Sequence, residues 1–227
     1  SLHTDELLGA IVAPGSLLKT ERRISHVFAL DVPAYGKPLI VTDAAINIQP
    51  TLDHKRDICQ NAVDLLRTLG GDKPRVAVLA AVETVNAKMP ATLDAAALTV
   101  MRTLLAATSQ LALTVMAARG QIAGALVDGP LAFDNAISIA AARTKGIVSD
   151  VAGEADILLV PDLEAGNMLA KQLIYFAGAT AAGIVLGARV PIVLTSRSDP
   201  LSARIASAAL AKLLVCRGKQ SMPGAAA

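Results

Sequence analysis

Apolar runs alternate with amphipathic segments along most of the chain, a pattern typical of a sheet covered by helices on both faces. Strands are predicted over residues 24–32, 38–42, 75–82, 122–127, 156–160, 181–186 and 191–194. Helices are predicted from Thr4, over 51–69, from Thr92, over 134–144, over 164–177 and from Pro200 to about Cys216. The alternation predicts an α/β fold with three αβα layers and mostly parallel sheets.

Three of the predicted strands run into polar turns that open the next helix. The three segments are residues 127–138, 160–171 and 190–199. In a parallel α/β sheet, such turns gather outside the carboxyl ends of the strands, where ligands bind. We therefore expect the three turns to form one shared site.

The sequence Ala-Leu-Thr-Val-Met occurs at residues 97–101 and again at residues 112–116. Because fifteen residues are about four helical turns, the apolar face is preserved. The repeat predicts a duplication that lengthens one helix or makes a helical hairpin; the alternative is chance in an Ala/Leu-rich helix. Arg102 and later polar residues argue against a membrane span. Residues 93–118 are apolar around much of the helix, which predicts a homodimer or higher homo-oligomer.

Composition narrows the class of protein further. The 227 residues are 53% hydrophobic but only 2% aromatic, so the core must consist mainly of Ala, Val, Leu and Ile. A net charge of +2, from 21 basic and 19 acidic residues, is too balanced for a nucleic-acid surface. Cys59 and Cys216 lack a Cys-x-x-Cys spacing, and the opening residues lack a signal-peptide pattern. We expect a cytoplasmic protein without a nucleic-acid or membrane partner.

Several kinds of chemistry lack their usual motifs in this sequence. It contains neither a Gly-x-x-x-x-Gly-Lys phosphate loop nor a Gly-x-Gly-x-x-Gly turn after a strand. His3, His26 and His54 are scattered without the spacing of metal ligands, and no serine lies in a nucleophile elbow. Neither metal catalysis nor covalent catalysis is therefore predicted.

The segment Ser196-Arg197-Ser198-Asp199 carries the strongest chemical signal. It lies between a predicted strand and a predicted helix, where backbone N–H groups favour an anion. Arg197 adds a planar cationic fork, and the two serines add hydroxyl donors. The alternative is a simple helix cap formed by Ser198 or Asp199. Four polar residues in a row exceed what a cap requires, which favours an anion site.

Six further polar residues at predicted strand ends are candidates for the same site. Asp134 is a candidate catalytic carboxylate, and the candidate substrate-binding residues are Asp128, Glu83, Asn86, Asp162 and Asn167. Each has a structural alternative, because Asp and Asn side chains also bind turn amides and cap helices.

These motifs resemble the phosphate acetyl/butyryltransferase family. The resemblance rests on residues 128–136, 151–162, 164–167 and 191–197, and residues 41–47 and 82–86 favour its butyryltransferase branch. It implies two lobes with an interlobe cleft, as in isocitrate and isopropylmalate dehydrogenases. Residues 1–94 with 190–218 would form the first lobe, residues 95–189 the second, and residues 219–227 a frayed tail.

The resemblance also implies a reaction. Family members move an acyl group between coenzyme A and inorganic phosphate, without a covalent enzyme intermediate, a cofactor or a required metal. The Ser-Arg pair of the family motif falls on Ser196 and Arg197. The family's proposed thiol base falls near Ala203, so Asp199 is the substitute and Asp134 the runner-up. We expect the thioester to lie between the Ser196-Arg197 turn and the turn spanning Asp128 and Asp134.

Two departures from the family pattern affect the functional expectation. A family serine after the strand 75–82 is replaced by Ala80 and Ala81, which is consistent with a longer acyl group than acetyl. His3-Thr4 resembles a point inside the first lobe, and some relatives carry this domain behind an enoyl-CoA hydratase-like domain, so a larger parent chain is expected. The competing hypothesis is a catalytically weak acyl-CoA or phosphate-binding module. A third hypothesis is a dehydrogenase-like protein. The missing dinucleotide motif counts against it.

Overall fold

A single β-sheet organises the computed structural model, which describes residues 4–13, 15–106 and 122–220. Its strands are β1 (Ser25–Asp31), β2 (Leu39–Thr42), β3 (Arg75–Leu79), β4 (Leu126–Leu131), β5 (Ile157–Leu159), β6 (Thr180–Leu186) and β7 (Ile192–Val193). Within the described residues, the sheet has seven strands in the order β4-β3-β5-β2-β1-β6-β7.

The sheet is mixed, whereas the sequence predicted mostly parallel pairing. Strands β4, β3, β5 and β2 are parallel, while β1, β6 and β7 each pair antiparallel with a neighbour. The connections explain the difference: residues 32–38 join β1 to β2, and residues 187–191 join β6 to β7. Connections this short allow only antiparallel neighbours, since a parallel crossover needs a dozen or more residues.

The helices lie close to where the sequence places them. They are α1 (Thr4–Val12), α2 (Leu52–Thr68), α3 (Pro90–Ala106), α4 (Phe133–Ile137), α5 (Ile139–Thr144), α6 (Leu163–Tyr175) and α7 (Leu201–Gln220). Thr51 caps α2, because its side chain accepts a hydrogen bond from the backbone of His54, whose ring accepts from the backbone of Thr51 in return.

Three boundaries differ from the sequence prediction. The helix predicted over residues 134–144 is broken at Ser138, whose extended backbone caps α5 with a hydrogen bond from Ala141. Thr92 does not cap α3: it is the third helical residue, and its hydroxyl bonds to the backbone of Met89. The last helix passes through Gly218, so the first two residues of the predicted frayed tail are helical.

Strand β4 continues through Asp128, Gly129 and Pro130, where the sequence predicted a turn. The partner strand explains this, because Leu131 still pairs with Leu79 of β3. Gly129 is required at this point: an added Cβ would lie 2.6 Å from the carbonyl oxygen of Val78.

Helices cover both faces of the sheet. One core contains Ile58 from α2, Leu98 from α3 and Leu210 from α7, while the other contains Ala136 from α4 and Leu173 from α6. Strands from both predicted lobes are neighbours, since β3 lies between β4 and β5. The described residues therefore share one sheet, and the division into two lobes stays a prediction.

The duplicated segment is only partly visible. Residues 97–101 lie in α3, whereas the second copy at 112–116 lies outside the described residues. Among the helices that are described, none combines the length and apolar character needed to cross a membrane.

Candidate functional site

A buried histidine lies where β1 and β2 meet the loop after β7. His26 of β1 pairs with Val185 of β6, and Asp43 directly follows Thr42, the last residue of β2, which pairs with Val27. The Asp43 carboxylate is near enough to the imidazole to raise its pKa. The exposed fraction is only 1% for His26 and 2% for Asp43. The hairpin thus places an imidazole beside a carboxylate in the interior.

The turn at residues 43–47, called the Asp43 turn below, stabilises this buried carboxylate. The Asp43 side chain accepts hydrogen bonds from the backbone of Ala45 (3.0 Å), Ile46 (3.1 Å) and Asn47 (3.3 Å). The Asn47 side-chain amide is a fourth donor. Hydrogen bonds to an ionised acceptor are the strong ones, and these four compensate for the hydration that burial removes.

The Asp43 turn is held from two sides, by the residues just before β1 and by α6. Asn47 donates to the carbonyl oxygen of Ile24 (2.9 Å) and accepts a hydrogen bond from Arg23 Nε (2.7 Å). Asn167, a predicted substrate-binding residue, donates from α6 to the carbonyl oxygen of Ala44 (3.1 Å). The observed contact of Asn167 is therefore with this turn.

Residues 194–199, the Ser196 loop, follow β7 and close on themselves. The Ser196 amide donates to Asp199 Oδ2 (2.6 Å), and the Asp199 amide donates to the Ser196 carbonyl (3.1 Å). The Ser196 and Ser198 hydroxyls are 3.0 Å apart. Ser196, Arg197 and Ser198 are all exposed. The Asp199 carboxylate thus orders the loop by bonding to an amide that precedes it in the chain.

The Ser196 loop rests on β6 and on His26. The imidazole Nε2 and the Leu194 carbonyl oxygen both approach Gly183, and the Leu194 backbone, acting as a hydrogen-bond acceptor, raises the pKa of the ring. Gly183 of β6 makes room for this contact, because an added Cβ would lie 2.5 Å from the Leu194 carbonyl oxygen and 3.0 Å from His26 Nε2. The start of the loop is therefore seated against a strand that lacks a side chain at that position.

The environment of His26 keeps its ring neutral. Burial lowers the pKa of His26, and this effect exceeds the opposing effects of Asp43, the hydrogen bond to Leu194 and Asp199. The ring packs edge-on against Phe28, with centroids 4.4 Å apart. Its Nδ1 atom is buried without a hydrogen-bond partner. His26 thus acts as a single donor, directed at the Ser196 loop.

A basic cleft of about 490 Å³ opens beside these elements. Lys19, Arg22 and Arg23 supply its positive charge, and its apolar walls include Leu8, Ile24 and Ile46. These three apolar residues pack in one cluster with Leu194, which starts the Ser196 loop. Arg22 is ion-paired with the exposed Asp64, and Arg23 bonds to the neutral amide of Asn47. The cleft shares Ile46 with the Asp43 turn, and the Ser196 loop is linked to both through the packing of Leu194; these three elements are the candidate site.

A second polar cluster lies at the other end of the sheet. Glu83 accepts hydrogen bonds from Asn135 and from Lys145 Nζ (2.7 Å), and Lys145 Nζ lies 3.3 Å from Asp134 Oδ2. The hydrogen bond from Lys145 is the main cause that lowers the pKa of Glu83, and the same bond raises the pKa of Lys145. Two predicted site residues, Glu83 and Asp134, are thus joined through one lysine.

The remaining candidates bond to backbone groups close to them in the chain. Asp128 accepts from the Gly129 amide (2.8 Å), and Asp162 caps α6 by accepting from the Ala165 amide (2.8 Å). Asn86 accepts from the Lys88 amide (2.9 Å). These are the structural alternatives that the sequence left open for Asp and Asn residues.

The expected meeting of the Ser196-Arg197 turn with the turn of Asp128 and Asp134 is wrong for a single chain. Strand β4 is at one edge of the sheet and β7 at the other, six strand spacings apart. At about 4.8 Å per spacing, this is roughly 29 Å. Strand β7 also runs against β6, so its carboxyl end points away from those of the parallel strands. The expectation assumed that all the strands were parallel.

Comparison with known proteins identifies the family. The family model described as phosphate acetyl/butaryl transferase matches residues 11–212. The chain belongs to this family. Its fold agrees with the assignment: a branched-chain phosphotransacylase from Enterococcus faecalis V583 superposes with a TM-score of 0.80 at 34% identity, covering 95% of this chain and 71% of that one.

Family relatives carry both names that the resemblance implied. A phosphate acetyltransferase of Rickettsia felis is 60% identical over 215 residues, 94% of this chain and 57% of that protein. A probable phosphate butyryltransferase of Bacillus subtilis is 48% identical over 211 residues, 93% of this chain and 66% of that protein. The chain thus spans less than two thirds of either relative, and the names do not confirm the preference for the butyryltransferase branch.

Sequence reasoning missed the buried part of this family member's candidate site. His26 was noted only as lacking metal-ligand spacing, and Asp43 and Asn47 only within the family resemblance. A usable signal was present: the strands predicted on either side of residues 33–37 form a hairpin in which Val27 pairs with Thr42, so their chain neighbours His26 and Asp43 lie at the same end of it. Among the residues that the structure describes, no three His, Cys, Asp or Glu side chains are arranged to hold a metal ion.

Proposed function

We propose that this chain transfers a short acyl group between coenzyme A and inorganic phosphate. Family membership supports the reaction class. The observation that carries the proposal is the exposed Ser196 loop, which presents two hydroxyls and a guanidinium. Its first residue, Leu194, packs in one cluster with the apolar walls of a cleft that has three further cations. Such a surface suits a substrate that is both polyanionic and partly apolar, as acyl-CoA is.

The reaction proceeds by direct attack in this proposal. Arg197 holds inorganic phosphate through its planar donor fork. A phosphate oxygen attacks the thioester carbonyl carbon, and Ser196 donates a hydrogen bond to the oxyanion that develops. The tetrahedral intermediate collapses with cleavage of the carbon–sulfur bond, which yields acyl phosphate and the thiolate of coenzyme A. In the reverse direction, Asp199 accepts the thiol proton.

The basic cleft gives coenzyme A a place in this scheme. Lys19, Arg22 and Arg23 face its phosphates, and the apolar walls face the pantetheine arm. Asp134 has no step here, because it lies at the other edge of the sheet. Asp128, Glu83, Asn86, Asp162, Asn167 and Ser198 were the predicted substrate-binding residues, and Ser198, through its contact with the Ser196 hydroxyl, remains part of the proposal.

Three broader assignments belong to the proposal as well. The parent protein works in the cytoplasm, it has the two-lobe dehydrogenase-like arrangement, and it assembles as a homodimer or a higher oligomer. Support for assembly comes from α3, on which Leu93 and Val100 are 45% and 54% exposed. Apolar side chains at this exposure are covered when a second copy packs against the helix.

A thiol-release assay tests the reaction. Acetyl-CoA and butyryl-CoA are supplied with and without inorganic phosphate, and acyl phosphate is trapped with hydroxylamine. Phosphate-dependent thiol release with matching acyl phosphate is the expected result. Binding of acyl-CoA without phosphate-dependent release would favour the alternative, a binding module of a larger enzyme. An acylated side chain, detected by mass spectrometry, would exclude direct attack.

A further inference from the structure

His26 is a buried polar side chain that the proposed reaction does not use. It lies in β1 with 1% exposure, among elements that surround the candidate site. Three groups act on it: the charge of Asp43 after β2, the ring of Phe28 on its own strand, and the backbone of Leu194 after β7. Burying a polar side chain costs free energy unless its polar atoms are hydrogen-bonded.

The Ser196 loop has few other ties to the sheet. Its hydrogen bonds between Ser196 and Asp199 and between Ser196 and Ser198 are internal to the loop. The bond that Arg204 donates to the Arg197 carbonyl is exposed to solvent. Strand β7, which leads into the loop, is only two residues long. The buried contact at Leu194 is therefore the point at which the loop is fixed to the core.

Gly183 and His26 together define that contact. The bare backbone of Gly183 leaves the space that the Leu194 carbonyl occupies, since any Cβ there would lie 2.5 Å from its oxygen. The imidazole Nε2 lies on the other side, 3.0 Å from the same Cβ position, with its N–H available to the carbonyl. The edge-on contact with Phe28 restricts rotation of the ring, so the donor has a set direction.

We propose that His26 is a positioning residue that, with Gly183, fixes the Leu194 carbonyl and so sets where Ser196 and Arg197 are held relative to the sheet. The use of the loop in catalysis rests on the proposed function, whereas the seating of the loop does not. The proposal concerns geometry, and His26 does not touch the reacting atoms.

Two substitutions separate positioning from packing. His26→Gln keeps an N–H donor at a similar reach, whereas His26→Met keeps the size without the donor. Because Met is the better apolar filler, a role in packing alone would make Met the milder change. Positioning requires the opposite order. We expect His26→Met to raise KM for phosphate or lower kcat at least tenfold, and His26→Gln to stay within about threefold of the parent.

A second measurement does not depend on activity. Trypsin cleaves after Arg197, which is exposed in the loop, and the rate of this cut is followed by mass spectrometry against the cut after Arg143 in α5. We expect cleavage after Arg197 to accelerate at least fivefold in His26→Met and in Gly183→Ala, but not in His26→Gln. Cleavage after Arg143 should remain unchanged in all three variants, which shows that they stay folded.

The outcomes distinguish the two proposals. If the parent chain has no phosphate-dependent activity but the trypsin pattern is as expected, the proposed function fails and the seating of the loop stands. If His26→Met matches the parent in cleavage after Arg197, or is milder than His26→Gln in both measurements, His26 is not a positioning residue. Should Gly183→Ala prove unfolded, the pair of His26 variants decides the question.

Discussion

Most buried polar side chains that the structure describes are hydrogen-bonded, some within one turn and others to residues far away in the chain. Asp43 receives four donors within the Asp43 turn, and Asn47 is held by contacts on both sides. Among the described side chains, two buried atoms lack a hydrogen-bond partner, His26 Nδ1 and Asn135 Oδ1. A buried histidine of this kind stays neutral, and its protonation is linked to unfolding.

The first residue-scale prediction concerns this linkage. Since burial lowers the pKa of His26 below 6.5, the unfolded chain binds more protons than the folded one as the pH falls below 6.5. Stability from a neutral His26 is complete above pH 6.5 and is lost below it, by up to about 1.4 kcal/mol per pH unit. Asp43 and Asp199, which face the ring, limit the loss.

Urea unfolding at several pH values should show this slope in the parent, and a smaller one in His26→Gln. Equal slopes would contradict the prediction.

The second residue-scale prediction concerns the phosphate contact of Arg197. Arg197→Ala should raise KM for phosphate about tenfold, equivalent to about 1.4 kcal/mol, while KM for acyl-CoA changes little. The expected effect is moderate because Arg197 is exposed and its charge is screened by water. Steady-state kinetics with varied phosphate is the measurement. Arg143→Ala, an exposed arginine on α5 at the other end of the sheet, is the control and should match the parent. An unchanged KM in Arg197→Ala would remove this residue from the phosphate site.

The third residue-scale prediction concerns the hydroxyl of Ser196. As the donor to the developing oxyanion, its removal in Ser196→Ala should lower kcat about 10²–10³-fold with little change in acyl-CoA binding. Thiol-release kinetics and direct titration of acyl-CoA measure the two effects separately. Ser202→Ala, an exposed serine in the first turn of α7, is the matched control. Turnover of Ser196→Ala equal to that of the parent would exclude the assigned role.

At the scale of elements, backbone packing decides features that local sequence patterns do not reveal. Residues 128–130 resemble a turn in sequence, yet they continue β4, because β3 pairs with Asp128 and again with Leu131 on either side of a shift in register. The break at Ser138 has a similar cause. Gly153 packs directly on Ile139, where an added Cβ would lie 2.6 Å from the Ile139 backbone, and this contact sets the entry to α5.

A glycine substitution tests the pairing of β3 and β4. Gly129→Ala places a Cβ 2.6 Å from the Val78 carbonyl oxygen and 3.0 Å from its Cβ, neither of which can move freely within the sheet. We expect a loss of about 1–3 kcal/mol in the free energy of unfolding, measured by urea denaturation. Gly36→Ala, where no atom lies within 4 Å, should change stability by less than about 0.5 kcal/mol. Equal stabilities of the two variants would mean that β4 is not packed this closely.

At the scale of the whole molecule, one mixed sheet separates two polar clusters. The Ser196 loop and the basic cleft lie near β7 and β1, whereas Glu83, Asp134 and Lys145 lie near β3 and β4. The described residues therefore offer one site with exposed hydroxyls and cations, and one cluster in which a lysine is ion-paired with two carboxylates. Exposed apolar residues on α3 add a surface that a second copy would cover.

Self-association can be measured directly. We expect light scattering to show a dimer or a higher oligomer at micromolar concentration, because Leu93 and Val100 expose apolar surface on α3. Val100→Lys should shift the population toward monomer. Val148→Lys, at a fully exposed residue outside α3, is the matched control and should leave the oligomer intact. A parent chain that is monomeric at this concentration would contradict the prediction.

Local patterns were sufficient for most elements and for the outline of the Ser196 loop. The hydrophobic pattern predicted α2 and β3. An apolar residue about every 3.6 positions indicates a helix buried on one face, and a continuous apolar run indicates a strand buried on both faces. The cluster from Ser196 to Asp199 was visible because its four polar residues are contiguous in the chain. The motifs were long enough to indicate the family, which the match over residues 11–212 confirms.

Strand order and the buried contacts of the site required the tertiary structure. An apolar pattern shows that a strand is buried but not which strand it pairs with, so the separation of β4 from β7 could not be read from it. The contact of His26 with Leu194 joins residues far apart in sequence, and it depends on the space above Gly183. The sequence by itself determined the elements, the polar loop and the family. Long-range pairing decided which polar residues share a site, because hydrogen bonds between strands leave no periodic signal along the chain.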